Sequence, residues 1–180
     1  MAVNHQIFLA GFGGQGILFA GKFLAYKGLM EDLQVSWLPS YGPEMRGGTA
    51  NCNVILSETP VGSPIVTQPD VLIAMNLPSL QKYVNSVAPG GQIYVDSSLI
   101  DEKVARTDVE VFYIPATQMA KDEGISSLAN MIIIGHLLQN NSELSFDGTE
   151  AVVQKLVPPT KAALVELNMK ALLLGKEYGA

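Results

Sequence analysis

The chain has 180 residues, 16% of them charged and 48% hydrophobic, with a net charge of −6. That length fits a single domain with its own core, and an acidic chain without a basic cluster is a poor match for nucleic acid or an anionic membrane. Every apolar run is shorter than the ~18 residues needed to span a bilayer, so the neutral surface of a chain this low in charge is expected to lie against another protein.

Residues 1–6 contain no Lys or Arg and Ile7 to Ala10 is too short for a signal-peptide core, so the chain is expected to stay in the cytoplasm. Gln6 to Ala10 predicts a buried strand, ended by Gly11-Phe12-Gly13-Gly14-Gln15-Gly16. A helix follows to about Leu29, with Ile17, Ala20, Leu24 and Lys27 on one stripe and Lys22 off it. Gln34 to Leu38 predicts the second strand, completing a βαβ opening. After the segment Ser40 to Thr49, Ala50, Cys52, Val54 and Leu56 alternate with Asn51, Asn53, Ile55 and Ser57, the period of a strand with one apolar face. The prolines of Thr59 to Pro69 make an extended connection. Val71 to Met75 reads as a strand covered on both faces.

A helix starts near Pro78, carries Leu80, Tyr83, Val84 and Val87, and stops at Pro89-Gly90-Gly91. Ile93 to Val95 and Val109 to Ile114 supply two more strands around the charged segment Asp101 to Asp108. The remainder is helical: a short piece from Ala116 to Glu123, then Ser127 to Gln139, about Phe146 to Leu156, and Pro159 to about Gly175. Ser127 to Gln139 is apolar on nearly every side and is expected to be sandwiched between other elements. The last helix has an expected buried face of Ala163, Leu164, Leu167, Ala171 and Leu174, with Lys161, Glu166 and Lys170 polar. The alternation predicts one α/β domain over 1–180: an open, mainly parallel, Rossmann-like sheet, helices on both faces, and a helical C-terminal third. Binding loops of such sheets gather at the carboxyl ends of the strands, so the glycine loop after the first strand and the 40–49 segment after the second should be neighbours.

Two stretches carry chemistry. From Leu33 to Gln81 only Glu44, Arg46, Glu58 and Asp70 are charged, so the pair Glu44 and Arg46 stands out within Ser40-Tyr41-Gly42-Pro43-Glu44-Met45-Arg46-Gly47-Gly48-Thr49. One reading is a rigid recognition loop; the other is a glycine-rich turn braced by its own charges. Arg46 can contact a carboxylate or phosphate with Glu44 positioning it, Gly47 and Gly48 permit close backbone approach, and Tyr41 and Met45 can pack across an interface. Gly11-x-Gly13-x-x-Gly16 fits the dinucleotide fingerprint, but Leu38-Pro39-Ser40 stands where that fingerprint needs a ribose-binding acid. The glycines are left with two further readings: tight helix packing, or contact with another anionic ligand or a partner subunit, Gln15 being the most available side chain. Cys52 is the only cysteine, which excludes a disulfide, zinc site or iron–sulfur cluster built from this chain's thiols. His5 and His136 show no metal-ligand spacing, and no nucleophile and base pair is evident.

The glycine loop and the Ser40 to Gly48 motif together resemble the gamma subunit of 2-oxoacid:ferredoxin oxidoreductases. Ser63-Pro64, Asp70-Val71-Leu72-Ile73-Ala74-Met75-Asn76, Pro89-Gly90-Gly91, Asp96-Ser97-Ser98 and Asn130-Met131-Ile132-Ile133-Ile134-Gly135 extend the resemblance over essentially the whole chain. It implies a subunit of an enzyme that oxidatively decarboxylates a 2-oxoacid, forms an acyl-CoA and reduces ferredoxin. Thiamine diphosphate with Mg and the iron–sulfur clusters would then belong to the alpha, beta and, where present, ferredoxin-like delta subunits. CoA is the co-substrate. The motif is closest to the 2-oxoglutarate branch, with pyruvate and branched-chain 2-oxoacids as alternatives. The site candidates are Gly11, Gly13, Gly14, Gln15, Gly16, Tyr41, Glu44, Arg46, Gly47, Gly48 and Thr49, as ligand or subunit contacts. The rival readings are a stand-alone nucleotide-binding module and a purely structural assembly subunit.

Overall fold

The computed structural model describes residues 4–40 and 49–179. Among these residues six strands form one sheet, in the order β2-β3-β1-β4-β5-β6. Along β1 (Asn4–Phe12), Ile7 and Leu9 turn to one face, Phe8 and Ala10 to the other, and all four are buried. β4 (Val71–Ala74) repeats this with Val71 and Ile73 against Leu72 and Ala74. Continuous apolar runs are what a sheet covered on both sides requires.

β1, β4, β5 (Gln92–Asp96) and β6 (Glu110–Ile114) pair in parallel. β3 (Thr49–Ser57) runs antiparallel between β1 and β2 (Gln34–Ser40). The sheet is therefore mainly parallel, as expected, with one reversed strand inserted into the βαβ opening. The reversal has a use. Ser57 lies opposite Asn4, so β3 returns the chain to the edge where β4 begins, and the connection there needs no crossover helix. Asp70 pins its far end: Gln6 N donates to Asp70 Oδ2 at 2.9 Å and Asp70 N to Gln6 O at 2.8 Å.

The two faces are covered unequally. α2 (Leu77–Tyr83) and the segments after it cover one face, through Leu80, Val87 and Ile100. The other face carries α1 (Ile17–Met30), α3 (Ala116–Asp122), α4 (Ala129–Asn140), α5 (Thr149–Leu156) and α6 (Ala163–Glu177). Lys27 of α1 is buried on the expected stripe, ion-paired with Glu31 one turn on. Every residue of α4 from Ala129 to Leu138 is buried, in keeping with its apolar circumference. Three helices start later than predicted, α4 after a 3-10 turn at Ser126–Leu128. Gly148 takes a left-handed φ of 72° immediately before Thr149, and a 3-10 turn at Pro159–Lys161 precedes α6.

The buried face of α6 differs from the leucine stripe. Leu164 and Leu167 are exposed and Ala163 lies at the surface, whereas Asn168, Ala171, Leu172 and Gly175 are buried. The cause is the crossing with α4. A Cβ on Gly135 would overlap the Leu172 carbonyl oxygen, and one on Gly175 the Ile132 carbonyl oxygen, so the two backbones touch where both lack side chains. Small residues set the rotation of the helix, and the leucines follow from it. His136, one residue on, is enclosed by Tyr94, Phe112 and Tyr178, and its Nδ1 donates to Gly175 O at 3.1 Å. Burial lowers its pKa below the ordinary value, against the opposing effect of that bond.

Candidate functional site

β1 and β4 lie side by side, yet α1 after β1 packs on one face and the helix after β4 on the other. Their carboxyl ends form a topological switch point, the place where open α/β sheets keep their binding crevice. The described residues on either side of positions 41–48 lie at this edge. Thr49 pairs with Phe12 at the end of β1, and Ser40 pairs with Asn51 two residues further along β3.

The Gly11–Gly16 turn is shaped from within. Gly14 and Gly16 have φ of 93° and 73°, which favour glycine, and Gly16 precedes α1 without any side-chain cap. Gln15 spans from β1 to β4: its Oε1 accepts from Phe12 N at 2.6 Å and its Nε2 donates to Met75 O at 2.9 Å, latching the turn to the end of β4. Expected as the side chain most available to a ligand, Gln15 has both ends of its amide engaged inside the chain. Asn130 of α4 holds the other end of the turn, its Nδ2 donating to Gly16 O at 3.0 Å. The uncapped first turn of α1 has no acidic residue, so its amide N–H groups leave a positive end at the switch point.

Gly11, Gly13, Gly14, Gln15 and Gly16 are thus brought together, with Thr49 beside them. Tyr41, Glu44, Met45, Arg46, Gly47 and Gly48 lie outside the described residues. The site also holds polar groups that were not singled out as site residues. Asn76 Oδ1 accepts from Ser79 N at 2.8 Å, while Asn76 Nδ2 and Ser79 Oγ are buried without a partner. Asp96, fully buried at the end of β5, accepts from Ser98 N at 3.1 Å, Thr117 N at 3.2 Å and Thr117 Oγ1 at 2.5 Å. Their signal was a polar residue closing a run of apolar ones, at the carboxyl end of a strand or the start of a helix.

A cleft of about 520 Å³ lined by His5, Asp70, Glu110 and Glu143 lies at the opposite, amino end of the parallel strands. Its His5 Nε2 is 2.9 Å from Glu143 Oε2, within ion-pair reach but without hydrogen-bond alignment. We place the site at the carboxyl end despite this volume, because that is where the strand ends and helix start converge. Among the described residues no group of three or more His, Cys, Asp or Glu can hold a metal ion. Cys52 is fully buried, and burial pushes its thiol up to about 12, so it stays protonated. A lone protonated thiol does not fit an iron–sulfur cluster.

Residues 6–178 match the family described as pyruvate ferredoxin/flavodoxin oxidoreductase. Ketoisovalerate oxidoreductase subunit VorA of Methanothermobacter thermautotrophicus is 38% identical over 177 residues, covering 96% of this chain and 36% of that protein. The chain therefore spans about a third of that relative's length. The 2-oxoglutarate synthase subunit KorC of Methanothermobacter marburgensis is 34% identical over 182 residues, covering 97% of this chain and 96% of KorC. The keto/oxoacid ferredoxin oxidoreductase gamma subunit of Geobacter sulfurreducens, a solved structure, superposes with a TM-score of 0.81 at 31% identity, covering 96% of each chain.

Proposed function

The chain belongs to the pyruvate ferredoxin/flavodoxin oxidoreductase family, and from that premise we propose that it is the gamma subunit of a 2-oxoacid:ferredoxin oxidoreductase. The observation that carries this is the end-to-end correspondence with a gamma subunit, 96% of each chain at TM-score 0.81. Oxidative decarboxylation of the 2-oxoacid, acyl-CoA formation and ferredoxin reduction belong to the assembled complex. Alpha, beta and, where present, delta subunits carry the thiamine diphosphate, Mg and iron–sulfur clusters, and CoA enters as co-substrate.

This chain's part is assembly and shaping of the crevice around the glycine turn, which Gln15 and Asn130 hold in place. Two surfaces support a partner-facing role. Among the described residues β2 is the outermost strand and carries exposed Trp37 and Leu38 without any charge, and Leu29 and Met30 are exposed at the end of α1. Natural edge strands left open to water are normally protected by charge. Arg46, two residues after Glu44, is the residue to which we assign a carboxylate or phosphate contact at a ligand or subunit boundary, through its planar guanidinium. The complex works in the cytoplasm. Among the described residues no helix is long and apolar enough to cross a membrane.

For the substrate, 2-oxoglutarate is favoured by the match over 96% of KorC. A branched-chain 2-oxoacid is the second reading, favoured by the higher identity to VorA. The test is purification of the tagged chain from its native cell, followed by CoA-dependent viologen reduction with 2-oxoglutarate, pyruvate and 3-methyl-2-oxobutanoate. Thiamine-diphosphate and cluster-bearing subunits should co-purify with activity highest on 2-oxoglutarate. A preference for 3-methyl-2-oxobutanoate would move the assignment to the second branch, and isolation of the chain alone would contradict the subunit reading.

A further inference from the structure

The direction of the backbone groups along β2 follows from the ladders beside it. Asp70 N donates to Gln6 O at 2.8 Å and Met75 N to Ala10 O at 2.9 Å, so the even-numbered residues of β1 turn their backbone groups towards β4 and the odd-numbered ones towards β3. Leu9 lies opposite Cys52, and Asn53 opposite Leu38. Carried across β3, the same alternation points Ser36 and Leu38 at β3 and points Val35, Trp37 and Pro39 away from it. Among the described residues β2 pairs only with β3. Its outer edge therefore presents the N–H groups of Val35 and Trp37 and the carbonyls of Val35, Trp37 and Pro39, proline having no N–H to offer.

Edges left open to water are normally guarded by charge, and β2 has none. Pro39 is its one guard and stands next to the strand's end. The edge also complements itself. Laid antiparallel on a second copy with Ser36 opposite Ser36, each Val35 faces the second copy's Trp37, and every outward N–H of both edges meets a carbonyl. Pro39 then falls opposite Leu33, whose own N–H is already bonded to Gly28 O at 3.0 Å. Centring the pair on Trp37 instead would set Pro39 opposite Val35 and leave the Val35 carbonyl without a donor. The side chains suit the Ser36 register. Val35 and Trp37 lie on the face that α1 covers, beside Gly28 and Gly21, and the pairing sets an aromatic residue against a β-branched one on each side of the axis. Serine, a small residue, occupies the central pair, where antiparallel strands come closest.

We propose that the β2 edge is the docking surface for a second copy of this chain, joining two six-stranded sheets across a two-fold axis at Ser36. Each copy carries a net charge of −6, so like copies repel, and an uncharged edge is where they meet with least opposition. The pairing goes beyond the gamma-subunit reading. It brings two gamma subunits together, and since β3 separates β2 from β1 it leaves the switch point of each copy to other chains.

The full chain is measured alone by sedimentation equilibrium at micromolar concentration, with amide hydrogen exchange followed by NMR. The wild type should be a dimer in which the Val35 and Trp37 amides are protected. Ser36→Lys sets two ammonium groups against each other at the axis and should raise the dimer dissociation constant about tenfold or more. Exchange at Val35 and Trp37 should then quicken about tenfold or more, while the Leu38 amide, bonded to β3, stays protected. A monomeric wild type, a dimer that Ser36→Lys leaves intact, or a dimer whose Val35 and Trp37 amides exchange freely would each overturn the proposal. So would a monomer in which those amides become protected only when partner subunits are added, an outcome that gives the edge to another chain and leaves the subunit reading standing. Should Ser36→Lys fail to fold, the oligomeric state and exchange pattern of the wild type decide alone.

Discussion

Replacing Gly135 with alanine places a methyl group where α4 and α6 touch. The new Cβ would overlap the Leu172 carbonyl oxygen and stand 2.9 Å from the Leu172 Cα, where ordinary contact begins at 3.4 Å. All its nearest neighbours are backbone atoms, so no side-chain rotation relieves the clash. α6 must retreat as a unit, and Ala171, Leu172 and the His136 to Gly175 bond loosen with it. Overpacking of this kind costs about 3 kcal/mol, the upper end of its usual range, because backbone must move. Higher helix propensity returns about 1 kcal/mol, leaving a net loss of about 2 kcal/mol. For a chain of this size that lowers the melting temperature by about 4–8 °C. Thermal unfolding followed by circular dichroism measures it directly. An unchanged or raised melting temperature would show that propensity alone governs the site and refute the close crossing.

Alanine at Gly14 and at Gly16 should each destabilise, because both glycines have positive φ, at about 1–2 kcal/mol for the backbone alone. Gly16→Ala should lose about 1–2 kcal/mol more, since its Cβ would meet Asn130 Nδ2 while that of Gly14 meets open space; an Asn130→Ala background should remove the excess in chemical denaturation. His136 contributes a pH slope of determined sign. Its folded-state pKa is below the ordinary 6.5, so its contribution is full above that value and is lost as pH falls from 6.5 towards the lowered one. Melting temperatures between pH 7.5 and pH 5 should show this part of the slope missing in His136→Gln, and identical slopes would contradict it. Cys52 should resist an aromatic disulfide reagent at pH 8 until the chain is denatured, because burial keeps the thiol protonated; prompt reaction of the native chain would place it at the surface.

Much of this architecture is legible in the residues, and the gaps have physical reasons. The glycine turn and α1 announce themselves through Gly11 to Gly16 and the stripe from Ile17 to Lys27. The alternation of Ala50, Cys52, Val54 and Leu56 marks the face of β3 that packs on α1. Alternation fixes which residues point inward but not which way a strand runs, so the reversal of β3 depends on the register Asn4 to Ser57 that only pairing reveals. In α6 hydrophobicity misdirects, because Leu164 and Leu167 look like core, while the contact is decided by Gly175 against Ile132. Polar site residues are hardest to foresee. Asn76, Ser79 and Asn130 gain meaning only once strand ends and helix starts converge, and Gln15, prominent in sequence, proves to be the latch of its own turn.

The central claim, that this chain works as a gamma subunit, is tested most directly by comparing three samples in CoA-dependent viologen reduction with 2-oxoglutarate. They are the isolated chain, the partner subunits without it, and the reconstituted complex, which is prepared in parallel with wild-type, Arg46→Lys and Arg46→Ala chains. Turnover is expected only from the complex, lowered by Arg46→Lys and lowered further by Arg46→Ala, with melting temperatures of the free chains nearly unchanged. Turnover by the isolated chain, or full turnover by the partners without it, would contradict the account.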